Sequence, residues 1–252
     1  MISAEKHLIK TPIQTYEHLK EGKLVTLVGV VHMAQQSDYY PTIQDIIDGR
    51  EADGAVVHFE GVRRSTKQEA AIVQPSHAIC NRVRRLRKII DLPKMVYGDF
   101  NFFEQGKALK RRETWENHDA TELQIAQRMP TTTLMATSLV LKTLGYSFNR
   151  LSPEERLALY KDSGDRFAET SEKVVRAIAK GFGPAIEVYR NDIALNAYDD
   201  LQEHDPGRDA VLLWGAGHLP GLGEGLVDRG FGLKEEQTLL ATDMNEVTLK
   251  HA

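Results

Sequence analysis

The sequence has a single cysteine, Cys80, among its 252 residues. One cysteine cannot form a disulfide within the chain, which indicates a reducing compartment, and we expect a cytoplasmic protein. The first residues lack the basic stretch and apolar core that mark a secretory signal peptide. No stretch approaches the roughly 18 consecutive apolar residues that a membrane-spanning helix needs. The sequence therefore predicts no membrane partner.

A large excess of basic residues is also missing. The chain carries 32 Lys and Arg against 36 Asp and Glu, which gives a formal net charge of −4. This balance gives no support to nucleic acid as a partner. The basic run at 82–88 accompanies the helical spacing of Ile79, Val83 and Leu86, so it is interpreted as a solvated helix face. The remaining partners are a peptide or small-molecule substrate and a second copy of the chain in a homo-oligomer.

Short apolar runs predict strands at 24–31 and 55–59. Between them, an isoleucine stripe that follows Ser37 and Asp38 predicts a helix over 39–49. A strand, a helix and a strand with short links form a βαβ unit, in which the strands are parallel and the crossover is right-handed. We expect the second strand to lie beside the first.

Further elements follow from the same patterns. Strands are predicted at 209–214 and 237–241, and a third segment at 95–97 is a weaker strand candidate. Helices are predicted at 13–22, 79–90, 131–144, 153–162, 165–181, 184–203 and 219–228. The fold class expected is α/β, with a mostly parallel central sheet drawn from both ends of the chain. A largely helical insertion at about 100–205 interrupts this single domain, 1–252.

Two of the apolar runs close on the same motif, Gly-x-x-His. The first closes on Gly29 and His32, and the second closes on Gly215 and His218. In open α/β sheets the carboxyl ends of the strands form the crevice where ligands bind. The paired motif therefore predicts two imidazoles at one site. A lone histidine at a strand end is more often structural, and the repetition is what favours a site.

A carboxylate is expected beside these histidines. Glu60 follows the strand at 55–59, and side-chain alternation places it on the same face as His58. Because the strand is apolar and expected beside the first one, Glu60 is predicted to meet His32. The alternative is a solvated loop glutamate.

The side chains of His32, Glu60 and His218 form the set that zinc hydrolases use, with an open position for water. We therefore predict that these three residues hold a divalent metal, Mn, Co or Zn, which activates water and polarises a carbonyl. A metal-free version stays open, in which Glu60 orients His32 and His32 acts as general base. A structural reading, in which both histidines only fill strand ends, stays open as well.

The glycine-rich loop around the second motif does not predict a nucleotide cofactor. Its glycines do not follow the G-x-G-x-x-G spacing of dinucleotide-binding loops. The loop opens instead on a predicted helix N-terminus, which suits an oxyanion or a carboxylate. Gly29, Gly215 and Gly217 are therefore predicted to contribute to substrate binding.

Arg190 and Asn191 lie inside the predicted helix at 184–203. Asparagine is unfavourable in a helix interior unless it makes a polar contact, and arginine can clamp a carboxylate with two hydrogen bonds. We assign Arg190 a catalytic role and Asn191 a role in substrate binding, against the alternative of two solvated residues. His118 and Asp119 lie in a stretch rich in titratable groups, which fits either a site or a surface loop.

In their order along the chain these residues resemble the TraB/PrgY/TIKI family, within a wider group that includes EreA-like erythromycin esterases and ChaN-like proteins. The resemblance rests on the two Gly-x-x-His motifs, on Glu60, on Arg190 with Asn191, and on the loop at 215–221. It covers about 24–242, although 62–180 carries no matching motif. It implies an α/β fold with one cleft, and metal-dependent proteolysis, lactone opening or the binding of small peptide pheromones.

We expect a metal-dependent hydrolase that cleaves an amide or ester bond of a peptide or lactone. His32, Glu60, His218 and Arg190 are its expected catalytic residues. The alternative is a protein that binds and sequesters a peptide or a small acid in the same cleft without turnover, as in pheromone shutdown.

Overall fold

The computed structural model of the chain describes residues 8–68, 71, 77–90, 98–129, 150–162 and 186–250. The strands in these residues are β1 (Leu8–His18), β2 (Leu24–Val30), β3 (Met33–Ala34), β4 (Val56–Phe59), β5 (Phe103–Glu104), β6 (Glu116–Asn117), β7 (Ala210–Gly215) and β8 (Phe231–Asp243). The helices are α1 (Tyr39–Ala52), α2 (His77–Ile90), α3 (Gln105–Ala108), α4 (Glu122–Arg128), α5 (Pro153–Asp162), α6 (186–204) and α7 (Leu219–Asp228). The elements predicted at 95–97, 131–144 and 165–181 lie outside the described residues.

One sheet organises the strands from both ends of the chain. Six strands follow the order β6-β4-β7-β2-β1-β8, and β3 pairs separately with β5. The strands β6, β4, β7 and β2 are parallel, whereas β1 is antiparallel to both of its neighbours. The α/β class and the mostly parallel sheet are therefore confirmed, and the late strand joins the first two as expected.

The late strand lies in the centre of the parallel part. Leu213 of β7 is opposite Val28 of β2 on one side and Phe59 of β4 on the other. The expectation that the second strand would lie beside the first is therefore wrong. The reason is burial, because the residues of β7 from Ala210 to Trp214 are all buried, and a strand that is apolar on both faces belongs inside a covered sheet.

Residues 13–22 do not form the predicted helix. Most of them belong to β1, where Ile13 is opposite Val28 and Tyr16 is opposite Val25 of β2. Their β-branched and aromatic side chains favour a pleated surface. Gly22, the last residue of the predicted helix, has φ of 70° and lies in the turn between β1 and β2.

Helix α1 begins after Asp38, as predicted, but it continues through Gly49 to Ala52. Asp38 makes no side-chain hydrogen bond to the helix end. The left-handed backbone comes two residues after the helix, at Gly54, with φ of 97°. The glycine that stops the helix is therefore Gly54.

Helices cover both faces of the sheet. On one face, Val28 and Val30 of β2 pack in a cluster with Ile43 of α1. On the other face, Val25 and Leu27 of the same strand pack in a cluster with residues of α6 and α7. Since side chains alternate along a strand, β2 supplies both cores. This explains why β2 and β7 have continuous apolar sequences.

The chain divides into two compact units. The first comprises Met1–Gly61, Phe102–Asp119 and Tyr189–Glu246, and the second comprises Val62–Asn101, Ala120–Val188 and Val247–Ala252. The first unit holds the sheet. In the second, α2 keeps Leu86 buried and Arg84 exposed, and its Arg87 forms an ion pair with Glu122 of α4. Within the described residues, none of the helices has the length and apolar character required to cross a bilayer.

Gly29 is a position where the fold requires the absence of a side chain. A Cβ atom there would lie 2.7 Å from the backbone oxygen of Pro12 and 2.9 Å from Cδ2 of Leu219. Because a strand backbone cannot move away cheaply, we expect Gly29→Ala to lower the free energy of unfolding by about 1–3 kcal/mol. Urea denaturation followed by circular dichroism measures this loss.

Gly49→Ala is the matched control for that measurement. No atom lies within 4 Å of the place where its Cβ would be, and Gly49 lies inside α1. Alanine is favoured over glycine in helices by about 0.8–1 kcal/mol, so this variant is expected to be as stable as the unmodified protein or more stable. Equal stability of both variants would contradict the close packing at Gly29.

Candidate functional site

A buried arginine lies at the carboxyl ends of β4 and β7. Arg190, on α6, donates from Nε to Oδ1 of Asp119 at 2.8 Å and from Nη2 to Oδ2 of Asp119 at 2.5 Å. The same Nη2 donates to Oε1 of Glu60 at 2.6 Å. The side chain of Asp119 is completely buried, and those of Glu60 and Arg190 are 13% exposed. One guanidinium therefore forms ion pairs with two largely buried carboxylates.

The end of β4 positions Glu60. Its backbone N–H donates to the oxygen of Leu213 in β7 at 2.9 Å, and its Oε2 accepts the N–H of Gly215. Burial raises the pKa of Glu60, but the charges of Arg190 and His218 and the N–H of Gly215 outweigh burial and hold this pKa below its usual value. A Cβ at position 215 would lie 2.9 Å from Oε2, so glycine is what allows the carboxylate to lie against this backbone.

The end of β6 positions Asp119. Oδ2 of Asp119 accepts the backbone N–H of Gly61 at 3.0 Å. Asn117 completes the link, because its Nδ2 donates to the oxygen of Gly61 at 2.9 Å and its Oδ1 accepts the N–H of Asp119 at 3.0 Å. Backbone N–H groups thus hold the carboxylates of Asp119 and Glu60 in addition to their contacts with Arg190.

The neighbours of His218 determine its tautomer. Nδ1 lies 2.7 Å from Oδ1 of Asn191, and Nε2 lies 3.1 Å from Nη1 of Arg190. A guanidinium can only donate, so Nε2 carries the lone pair and Nδ1 carries the proton that Asn191 accepts. Two consecutive residues of α6 therefore fix the orientation of the His218 ring.

His32 lies apart from this group. Its side chain is exposed, and Nδ1 lies 3.2 Å from Oε1 of Gln105. β7 lies between β2 and β4 in the sheet. Glu60, at the end of β4, therefore contacts Gly215 of β7 and does not contact His32 beyond the end of β2. The ligand atoms of His32, Glu60 and His218 do not all lie within 4.8 Å of one another. The structure therefore brings Glu60 and His218 together without His32.

The three predicted ligands do not fit a metal in this arrangement. Oε1 of Glu60 and Nε2 of His218 are 3.9 Å apart, and the guanidinium of Arg190 hydrogen-bonds both atoms. A metal at this position would have to displace an arginine. Glu60 does not orient His32 either, since its carboxylate binds Arg190 and Gly215. The catalytic roles of the four residues stay predictions.

The residues predicted to bind substrate lie in different surroundings. Gly29 is buried inside the sheet. Gly215 donates its N–H to a carboxylate, and Asn191 accepts the proton of a neighbouring imidazole. Gly217 lies in a 3₁₀ turn, and no atom lies within 4 Å of the place where its Cβ would be. Of the three glycines, Gly217 borders open space.

A second group of titratable side chains lies where β4 pairs with β6. Its members are His58, Glu116 and His118, whose potential metal-ligand atoms all lie within 4.8 Å of one another. In the described part of the chain, this is the one group of three or more His, Cys, Asp or Glu residues that meets this distance. Nε2 of His118 is 2.7 Å from Oε2 of Glu116, and Nε2 of His58 is 3.8 Å from the same oxygen. This His/Glu/His group could hold a metal ion.

His58 is the buried member of this group. Its side chain is 1% exposed, and neither ring nitrogen has a hydrogen-bond partner in the described residues. Burial, together with the neighbouring His118 and against the opposing effect of Glu116, lowers the pKa of His58 to about 4. The ring is therefore a neutral imidazole with an unused lone pair.

Sequence reasoning identified part of these two groups. It singled out His118 and Asp119 as site candidates, but it assigned no role to Glu116 or His58. The available signals were the titratable stretch around His118 and the face that His58 shares with Glu60. Neither signal shows which strand lies next to β4, and that neighbour decides what these side chains meet.

The ion pairs of Arg190 provide a test of the site's construction. We expect Arg190→Met to lower the free energy of unfolding by about 3–5 kcal/mol, because two largely buried carboxylates then lose the guanidinium that pairs with both of them. Chemical denaturation measures the change. Arg208→Met is the control, since Arg208 and its partner Asp205 are 44% and 50% exposed, and it is expected to cost about 1 kcal/mol or less. Similar losses in both variants would contradict the buried pairing.

Comparison with known proteins adds no relative to this description. No protein-family model matches the chain, and neither does any curated protein or solved structure. What the site can do therefore follows from its own residues and distances.

Proposed function

We propose that the chain is a hydrolase of amide or ester bonds that acts at the sheet edge formed by Glu60, Arg190 and His218. One observation carries the proposal: the imidazole of His218 is held by Asn191 and presents Nε2 at 3.9 Å from the carboxylate of Glu60. An oriented imidazole whose lone pair lies beside a carboxylate is suited to activate water.

The spacing of the two acceptor atoms fits one water molecule. Oε1 of Glu60 and Nε2 of His218 are 3.9 Å apart. A water that donates to each of them at about 2.8 Å does so at an angle of about 90°, and its lone pairs then point away from both. The contact between Arg190 and His218, at 3.1 Å, is the longest in this group and is the one with which the water competes.

The two acceptors take different parts in the reaction. The pKa of Glu60 is held below its usual value, so its carboxylate is a weak base that orients the water. His218 is the group that accepts the proton. The water oxygen forms a bond to the carbonyl carbon while Nε2 takes its proton. When the tetrahedral intermediate collapses, the bond to the leaving nitrogen or oxygen breaks and Nε2 returns the proton to that atom.

Arg190 has a donor left for the carbonyl oxygen. A guanidinium has five N–H bonds. Its contacts to Asp119 and Glu60 use one on Nε and two on Nη2. Nε2 of His218 has one lone pair, so the water replaces the contact from Nη1. An N–H on Nη1 can then stabilise the oxyanion that forms when water adds to the carbonyl.

Asp119 limits what Arg190 can bind. Two hydrogen bonds to Asp119 occupy the Nε and Nη2 side of the guanidinium, so Arg190 cannot clamp a substrate carboxylate with that side. This arrangement supports an amide, ester or lactone carbonyl as the substrate and gives no support to capture of a small acid by a bidentate arginine.

The resemblance to the TraB/PrgY/TIKI family supports the same reaction class. Glu60, Arg190, Asn191 and His218 are among the residues on which that resemblance rests, and they are in contact here. We propose a peptide or small-molecule ester as substrate. The metal dependence that the resemblance implies is not part of the proposed step, because Arg190 occupies the position between Glu60 and His218.

Two histidine variants test the proposal. Purified protein is incubated with a panel of peptides, esters and lactones, and the products are identified by mass spectrometry. His218→Gln is expected to lower kcat by about 100-fold to 10,000-fold, which is the usual contribution of a general base. His32→Gln tests the other histidine predicted from the sequence and is expected to cost less activity, since His32 contacts Gln105. His204→Gln, at an exposed histidine on α6, is the control and is expected to retain its activity. Circular dichroism verifies that all three variants are folded.

The other outcomes have distinct meanings. Equal losses in His218→Gln and His32→Gln would contradict the role given to His218 alone and would support a pair of catalytic histidines. Full activity of His218→Gln would overturn the proposal. Binding of a panel member that is recovered unaltered would identify a capture protein instead.

A further inference from the structure

We propose that His58, Glu116 and His118 form a binding site for a divalent transition-metal ion at the edge of the sheet where β4 pairs with β6. This inference does not rest on the proposed hydrolase, because none of these three residues takes part in that step. It gives a metal-binding role to three side chains that take no part in the contacts among Glu60, Arg190 and His218.

The main evidence for a metal ion is that both ring nitrogens of His58 are buried without a hydrogen-bond partner in the described residues. Buried polar atoms in folded proteins nearly always have a hydrogen-bond partner or a ligand. The side chain of His58 is 1% exposed, and its Nδ1 and Nε2 both lack a partner in the described residues. Its Nε2 lies 3.8 Å from Oε2 of Glu116, so the free lone pair is beside a carboxylate. A metal between these atoms would satisfy both.

The backbone fixes the three side chains next to one another. His58 of β4 is directly opposite Glu116 of β6 in the parallel ladder. His118 is two residues beyond Glu116 and therefore on the same face as that residue. The rings of His58 and His118 have centroids 4.4 Å apart. The cluster is thus built by strand pairing and not by long flexible side chains.

The distances suit a small metal ion. Ligand bonds of about 2.0–2.1 Å in a tetrahedral zinc site place neighbouring ligand atoms about 3.3 Å apart. Oε2 of Glu116 lies 2.7 Å from Nε2 of His118 and 3.8 Å from Nε2 of His58, on either side of that value. Binding of an ion would make these two distances more equal through rotation of the Glu116 and His118 side chains.

The donor set indicates which ions fit. Two imidazole nitrogens and one carboxylate oxygen suit Zn²⁺ and Co²⁺, and less well the harder ions Ca²⁺ and Mg²⁺. Three protein ligands leave one position for water. Glu116 is 58% exposed and His118 is 34% exposed, so an ion has access from solvent while His58 closes the site from the inside.

Metal titration of the full chain tests the proposal. Protein purified without a histidine tag and treated with chelator is titrated with Co²⁺, which is followed by visible absorption, and with Zn²⁺, which is followed by calorimetry. We expect one equivalent of each ion to bind, a tetrahedral Co²⁺ spectrum, and a higher Tm with Zn²⁺. Absence of stoichiometric binding would overturn the proposal.

Variants locate the site. Glu116→Gln and His118→Gln change exposed side chains and are expected to keep the fold. Each is expected to weaken Zn²⁺ binding by more than the roughly 10–100-fold that loss of an outer-shell partner costs. His204→Gln is the control, because His204 is exposed on α6 and bonds to Asp200, and it is expected to bind like the unmodified protein.

His32→Gln separates this site from the one predicted by sequence. Unchanged binding in this variant supports the group at β4 and β6. If His32→Gln abolishes binding while Glu116→Gln and His118→Gln do not, the proposal is overturned. All readouts are binding and absorption, so the result is independent of whether the chain hydrolyses the substrate panel.

Discussion

The guanidinium of Arg190 lies between two carboxylates that the fold has taken out of water, and the sheet edge is arranged around this contact. Each of the three charges would be costly there without the others. Glu60 connects the arginine to the end of β4, and Asp119 connects it to the end of β6. Arg190 also contacts His218, the residue that we propose as the base. The same ion pairs thus hold together the residues to which the proposed chemistry is assigned.

The sequence was sufficient where a segment's own pattern decides its structure. The strands β2 and β7 and the helix α7 lie close to their predicted ranges, because continuous apolar runs and glycine boundaries are local signals. The helix predicted at 13–22 failed because Ile13 and Tyr16 pack as residues of a strand between two partners. The order of the strands could not be predicted, since parallel neighbours are chosen by burial across the whole sheet.

The same distinction explains the site. Glu60, Arg190 and His218 could be found from their positions after strands or inside a helix, and the structure brings them into contact. The repeated Gly-x-x-His motif predicts His32 at the same site, and its expected contact with Glu60 depends on β4 lying beside β2. Because β7 lies between those strands, Glu60 forms an ion pair with Arg190 and does not contact His32. The metal-capable group that includes His58 depends on the pairing of β4 with β6, which spacing alone does not reveal.

The members of the Arg190 cluster come from distant parts of the chain. Arg190 is 71 residues from Asp119 and 130 residues from Glu60, and Gly215 is 155 residues from Glu60. Contacts this remote require large loops to close before they contribute stability, and such contacts are typical of slowly folding chains. Glu60 and Asp119 both precede α6 in the chain. A part of the chain that ends before α6 therefore holds the two carboxylates without the guanidinium of Arg190.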